Sequence, residues 1–315
     1  MTDRRAIPQA AVEGHWHAAD GHAIRRIDWP APAGRAKGSL LFLPGRGDFY
    51  EKYLETLDHW HQQGWQVTAS DWRGQAGSGR LGTDAVTGHI DDFSTWVDDL
   101  AALWRDWRAQ TPGPHVLAGH SMGGHLVLRA VAEGVVDPDA VLLSAPMLGF
   151  TANVLPDGMM HAAARVMKAL GNPARPAWKW SEKPGQPPEG RADLLTHDAA
   201  RYADELWWRA ARPELVMGPG SWGWVERAYA SMRGLFAPGK LEAVRQPVLI
   251  LATDADKLVG FTAIVRAAAR LPHAKLVNYG PAASHEILRE ADDVRDAALA
   301  QADAFLAEIA DAAAR

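Results

Sequence analysis

Apolar residues along this chain fall in short continuous runs rather than in strict alternation with polar ones. The runs are 38–43 (GSLLFL), 65–71 (WQVTASD), 115–119 (HVLAG), 140–144 (AVLLS), 247–253 (PVLILAT) and 274–279 (AKLVNY). Strands that are apolar throughout are buried on both faces, as in parallel sheets covered by helices. Segments with helical spacing lie between them, at 50–63, 90–109, 122–133 and 261–270, and an Ala- and Leu-rich helix over 286–314 closes the chain. Strands alternating with helices predict an α/β protein with a mostly parallel sheet. Before the first apolar run, 14–29 reads as a polar hairpin turning near Ala19-Asp20-Gly21.

The alternation stops after Pro146 and resumes at Pro247. Helix-like runs occur there at 158–170 and 199–211, together with a Pro/Gly-rich piece at 181–190 (SEKPGQPPEG). Six of the 14 tryptophans also lie there: Trp178, Trp180, Trp207, Trp208, Trp222 and Trp224. The simplest organisation is a core of 1–146 and 245–315 interrupted by a helical lid, 147–244. Such an insertion would cover the C-terminal edge of the sheet, where ligands bind in open α/β folds.

Composition narrows the function classes. A chain of 315 residues can bury a sizeable core without covalent staples. It has no cysteine, which excludes disulfides, thiolate nucleophiles and Cys-ligated zinc. A net charge of -5 gives no basic stripe for nucleic acid. The first 20 residues lack an apolar signal core, and no apolar run approaches the ~20 residues that span a bilayer. The expectation is a soluble cytoplasmic protein.

The chemistry centres on Gly119-His120-Ser121-Met122-Gly123, a G-x-S-x-G match between a predicted strand and a predicted helix. In a nucleophile elbow the serine sits on a strained turn, so its neighbours two away must lack bulk. The helix N-terminus behind it favours a developing negative charge. A serine nucleophile needs a histidine base, oriented by a carboxylate, in the order Ser, acid, His. Among the histidines beyond the apolar run at 247–253, His285 lies in a small-residue loop after a strand, whereas His273 precedes one. Asp254 and Asp256 both follow the strand at 247–253, and spacing alone does not choose between them.

Four motifs in order, GHSMGG (119–124), DWRGQAGS (71–78), ADKLV (255–259) and SHEILRE (284–290), resemble the lysophospholipase and monoacylglycerol lipase group of α/β hydrolases. The closest likeness is to bacterial lysophospholipase L2-like proteins. The resemblance covers the chain from about Gly38 to the final helix and is weakest in the lid. It implies the α/β-hydrolase fold and a G-x-x-D-x-x-V acid loop, which favours Asp256, although Thr253 stands where glycine is usual. It also implies a first oxyanion donor after the strand at 38–43. There Pro44-Gly45-Arg46 replaces the usual His-Gly, so the role passes to the backbone N–H of Arg46, with Met122 N–H as the second donor. Gln75 and Ala76 replace the usual His and Gly of the second motif, a segment expected to shape the loop beneath the site.

The expected reaction is acyl transfer through Ser121, His285 and Asp256, without metal or cofactor. The resemblance favours monoacyl lipids, lysophospholipid or monoacylglycerol, as substrate. The alternatives are a carboxylesterase on short soluble esters and, with the triad residues all present, less readily a non-catalytic binding protein of the same fold. Met147, Met159, Met160, Met167 and Met217 either line an acyl pocket or pack the lid's own core. Aromatic residues on the lid surface would allow transient contact with a membrane.

Overall fold

The computed structural model describes residues 3–31, 36–151, 156–179 and 190–315. Eight strands form one sheet: β1 (Val12–His17), β2 (Ala23–Trp29), β3 (Ser39–Leu43), β4 (Gln66–Ser70), β5 (His115–His120), β6 (Ala140–Ser144), β7 (Val248–Ala252) and β8 (Ala274–Asn278). Their spatial order is β1-β2-β4-β3-β5-β6-β7-β8. β2 runs antiparallel to both of its neighbours, β1 and β4, and β3 through β8 run parallel to one another. Every residue of β3, β5, β6 and β7 is buried, which is why these strands read as unbroken apolar runs. The edge strand β1 is largely exposed.

Helices join the strands: α1 (Leu54–Gln62), α2 (Ser94–Arg108), α3 (Met122–Ala132), α8 (Phe261–Ala268) and α9 (Asp292–Ala314). α1 packs on β4, α3 on β5 and β6, α8 on β7 and β8, and α9 on β7. Strand β3 lies between β4 and β5, so the chain leaves it first to one side and later returns on the other. Connections that diverge from one strand open a crevice at its C-terminal end. The loop after β3 and the turn after β5 therefore meet at this crevice, with Leu43 paired to Gly119 just below it.

Between β6 and β7 the described residues hold α4 (Asp157–Ala169), α5 (Ala192–Leu195), α6 (Ala199–Ala211) and α7 (Trp222–Leu235), and no strand of the sheet. α4 packs against α7, and α7 against α3. The expected Pro/Gly-rich piece lies outside the described residues except for Gly190, as does Trp180. Among the described residues no helix is long and apolar enough to cross a membrane.

Three helical expectations need correction. α7 was not foreseen, although its apolar positions 224, 228, 232 and 235 follow helical spacing. Its start is capped by Ser221, whose Oγ accepts from Trp224 N at 3.0 Å. α2 begins at Ser94 rather than residue 90, where Asp92 Oδ1 accepts from Ser94 N at 2.8 Å. The final helix begins at Asp292, not 286. Residues Ile287–Arg289 form one 3-10 turn, and Glu290 is fully buried, its carboxylate accepting from Ser284 N at 2.6 Å and His197 N at 2.9 Å. Those bonds hold the chain out of helical geometry, and Asp292 and Asp293 then occupy a first turn where negative charge is favoured.

Candidate active site

Ser121 sits on the turn between β5 and α3 at φ 52°, ψ -117°, a strained conformation for a residue with a side chain. The turn is held by Ser121 N donating to Ser144 O and by Ser121 O accepting from His125 N and Met147 N, all within 2.9–3.0 Å. Glycines on either side are required by space. A Cβ at Gly119 would lie 2.7 Å from the backbone of Gly123 and Gly124, and one at Gly123 would run into the carbonyls of Leu43 and Pro44. The spacing of G-x-S-x-G thus follows from a helix start folded back onto two strand ends.

His285, in the loop after β8, has Nε2 2.9 Å from Ser121 Oγ and Nδ1 2.7 Å from Asp256 Oδ2. Asp256, in the loop after β7, accepts on Oδ1 from Leu258 N at 2.8 Å and Val259 N at 3.0 Å. Asp254 instead faces solvent and bonds Asn278, its Oδ2 accepting from Asn278 Nδ2 at 3.0 Å. His273 is exposed at the opposite end of β8. Burial raises the Asp256 carboxyl, but the imidazole of His285 and the two amides outweigh it, leaving the group below its ordinary value. Burial lowers His285, and Asp256, then Glu286 and Asp48, together more than offset this, so the imidazole lies above its usual value. The arrangement can pass a proton from Ser121 to His285 while a fixed anion steadies the imidazolium.

The loop after β3 lies against this centre. A Cβ at Gly45 would stand 3.1 Å from Ser121 Cβ. The side chain of Arg46 turns to the segment joining α6 and α7: Nη2 donates to Gly218 O at 2.8 Å, and the guanidinium lies 5.1 Å from the rings of both Trp178 and Trp224. That segment is also stitched to the core, with Gly88 N donating to Pro219 O and Ser221 N to Gly88 O, both at 2.9 Å. α5 reaches the loop that carries His285, where Glu286 N donates to Leu195 O at 2.8 Å.

Comparison with known proteins places the chain in a family. Residues 34–292 fit the model of the serine aminopeptidase S33 family. The chain belongs to that family. It is an α/β hydrolase of the lysophospholipase and monoacylglycerol lipase group, and an ester hydrolase. Lysophospholipase L2 of Escherichia coli K12 is 30% identical over 278 residues, 82% of this chain and 77% of that protein. A monoacylglycerol lipase of Mycolicibacterium smegmatis is 28% identical, over 81% of this chain and 83% of that one. In fold, a soluble variant of monoglyceride lipase from Saccharomyces cerevisiae superposes with a TM-score of 0.75 at 17% identity, covering 96% of both chains.

Other polar residues pack around this centre without a role assigned from the sequence. His120, its ring tilted against that of His285 with centroids 4.7 Å apart, is driven down to about 4 by burial and by His285, so it stays neutral at pH 7. Asp48, His120 and Glu286 bring ligand atoms within 4.8 Å of one another. A cation already stands among these carboxylates: Lys52 Nζ lies 2.5 Å from Asp48 Oδ1, 2.5 Å from Glu286 Oε1 and 2.9 Å from Glu205 Oε2. The methionines divide. Met147 and Met217 are buried, Met160 packs on the core from a half-buried position, and Met159 is more than half exposed.

Proposed function

We propose that this enzyme hydrolyses carboxylic esters of monoacyl lipids, lysophospholipid or monoacylglycerol, through an acyl-enzyme on Ser121. The observation that carries the mechanism is the continuous bonding from Asp256 through His285 to Ser121 at 2.7 and 2.9 Å. Ser121 Oγ attacks the ester carbonyl carbon as its proton passes to His285 Nε2. The carbonyl oxygen becomes an oxyanion held by the backbone N–H groups of Arg46 and Met122. Collapse breaks the bond to the alcohol, which leaves with the proton from Nε2. Water then gives its proton to Nε2 and attacks the acyl carbon; collapse returns the proton to Ser121 and releases the acid.

The substrate class rests on the relatives, whose names point to lysophospholipid and monoacylglycerol. Residues 147–244 act in this reading as the lid over the crevice, with Trp178 presenting a half-exposed ring beside Arg46. Labelling with a fluorophosphonate probe tests the nucleophile: wild type takes the label and Ser121→Ala does not. A panel of p-nitrophenyl esters, monoacylglycerol and lysophosphatidylcholine tests the substrate. Preference for long acyl chains is expected; a steep preference for acetate or butyrate would replace the lipid reading with a short-chain carboxylesterase.

A further inference from the structure

We propose that Gln75 is a positioning residue for the oxyanion loop. Its side chain fixes the Arg46–Gly47 peptide, the unit next to the one that carries the Arg46 N–H. The proposal rests on the acyl-transfer reading above and adds to it a residue that touches neither substrate nor Ser121.

The loop after β3 runs Pro44-Gly45-Arg46-Gly47. Amides on both sides of Arg46 are taken by buried side-chain oxygens: Gly47 N donates to Gln75 Oε1 at 2.7 Å, and Gly45 N to Asp48 Oδ2 at 3.1 Å. Gly47 adopts φ +68°, a left-handed conformation that favours glycine and that a loop with no fixed partner would not hold to one geometry. Trp72, three residues before Gln75, donates from Nε1 to Pro44 O at 2.8 Å. The DWRGQAGS segment thus grips the loop at two points, one before Arg46 and one after it.

The backbone of Gln75 is itself fixed. Its N–H donates to Trp72 O at 3.0 Å and its carbonyl accepts from Ser78 N at 2.8 Å, closing a tight turn. Ala76 beside it has φ 45°, a left-handed conformation for a residue with a Cβ, which the surrounding bonds must hold. The side chain is 3% exposed. Below it, Arg73 is locked by Asp99 at 2.6 Å and Asp20 at 2.7 Å. A neutral amide oxygen suits the task, since it accepts from Gly47 without bringing a further charge into a buried site. Oxyanion donors stabilise the transition state only when held within a few tenths of an ångström of their working position. A loosened loop therefore costs turnover more than substrate binding.

The test compares Gln75→Leu, which removes the acceptor at similar volume, with Gln75→Glu, which restores an oxygen at the same reach. Gln75→Leu is expected to lower kcat about ten- to hundredfold with KM within about twofold. Its affinity for a trifluoromethyl ketone, which binds as a tetrahedral oxyanion, should fall in step. Gln75→Glu should restore slow exchange at the Gly47 amide but recover only part of kcat and of ketone affinity, because its carboxylate adds a charge to the buried site. Hydrogen exchange at the Gly47 amide, slow in wild type and fast in Gln75→Leu, reads the bond without activity. A folded Gln75→Leu enzyme with wild-type kcat overturns the proposal, as does a kcat loss with unchanged ketone affinity. So does fast exchange at Gly47 in wild type, which decides the matter even where a variant fails to fold. Wild type that takes no fluorophosphonate label at Ser121 removes the acyl-transfer reading and this role together. A labelled enzyme indifferent to Gln75→Leu removes this role alone.

Discussion

His285 and Glu286 are consecutive in the chain, yet they belong to two different polar clusters. His285 stands between Asp256 and Ser121, a carboxylate and a hydroxyl, with no fixed cation in the line. Glu286 stands among full charges: Lys52 at 2.5 Å and Arg289, with Glu205 at 2.9 Å from the same lysine and Arg209 paired to Glu205 at 2.7 Å. Both clusters are buried and both hold carboxylates. The difference is the partner. An imidazole near neutrality can take or release a proton within the reaction, whereas ammonium and guanidinium groups surrounded by carboxylates keep theirs. Burial lowers the Lys52 ammonium, and Asp48, Glu205 and Glu286 more than reverse that, holding it above its usual value. In the proposed mechanism the first cluster moves charge, whereas the second holds α6, the turn at Tyr50–Tyr53 and the His285 loop in place.

The sharpest way to break the comparison is at the moving cluster. Ser121→Ala should lower kcat by about 10⁵-fold or more with little change in melting temperature, measured on p-nitrophenyl esters and by thermal unfolding. Asp256→Asn should cost about 10⁴-fold in kcat. At the static cluster the effect should appear in stability instead. Lys52→Met leaves Asp48, Glu205 and Glu286 without their shared cation and should destabilise by about 3–5 kcal/mol in denaturant unfolding. An unchanged unfolding midpoint would show that the cluster is not the structural element argued here.

The pH profile sharpens the contrast further. The base must be neutral to accept the Ser121 proton, so kcat/KM should fall as pH drops through the His285 value, which lies above 6.5. Asp256→Asn removes the largest influence holding that value up, so the limb should move to lower pH. Glu286→Gln should move it the same way by less, because Glu286 acts on His285 through charge alone. A shift to higher pH in either variant would show that these carboxylates do not hold the imidazole up.

Much of the fold was legible because buried parallel strands write themselves as apolar runs: residues 140–144 coincide with β6, and 199–211 with α6. The helix starts were less legible. α9 begins six residues later than its composition suggests because Glu290 is taken by the amides of Ser284 and His197, partners remote from any local signal. α7 hides in an aromatic segment whose periodicity competes with the nearby Gly-Pro-Gly. Around Ser121 the sequence names the elbow and a histidine loop, and resemblance rather than spacing prefers Asp256 to Asp254. The observed positions separate the two aspartates, one buried against His285 and one on the surface with Asn278.

By itself, then, the sequence determines what is local: strand and helix identity, the glycines that let Ser121 occupy a strained turn, and the order of serine, acid and histidine. Only the tertiary structure decides what depends on distance between remote segments. It decides that Gln75 meets Gly47, that Lys52 gathers three carboxylates from three parts of the chain, and that Arg46 reaches Trp178 and Trp224. The physical reason is the branching of the chain at β3. It brings the ends of β3 and β5 together at one crevice, although more than 70 residues separate them in the sequence.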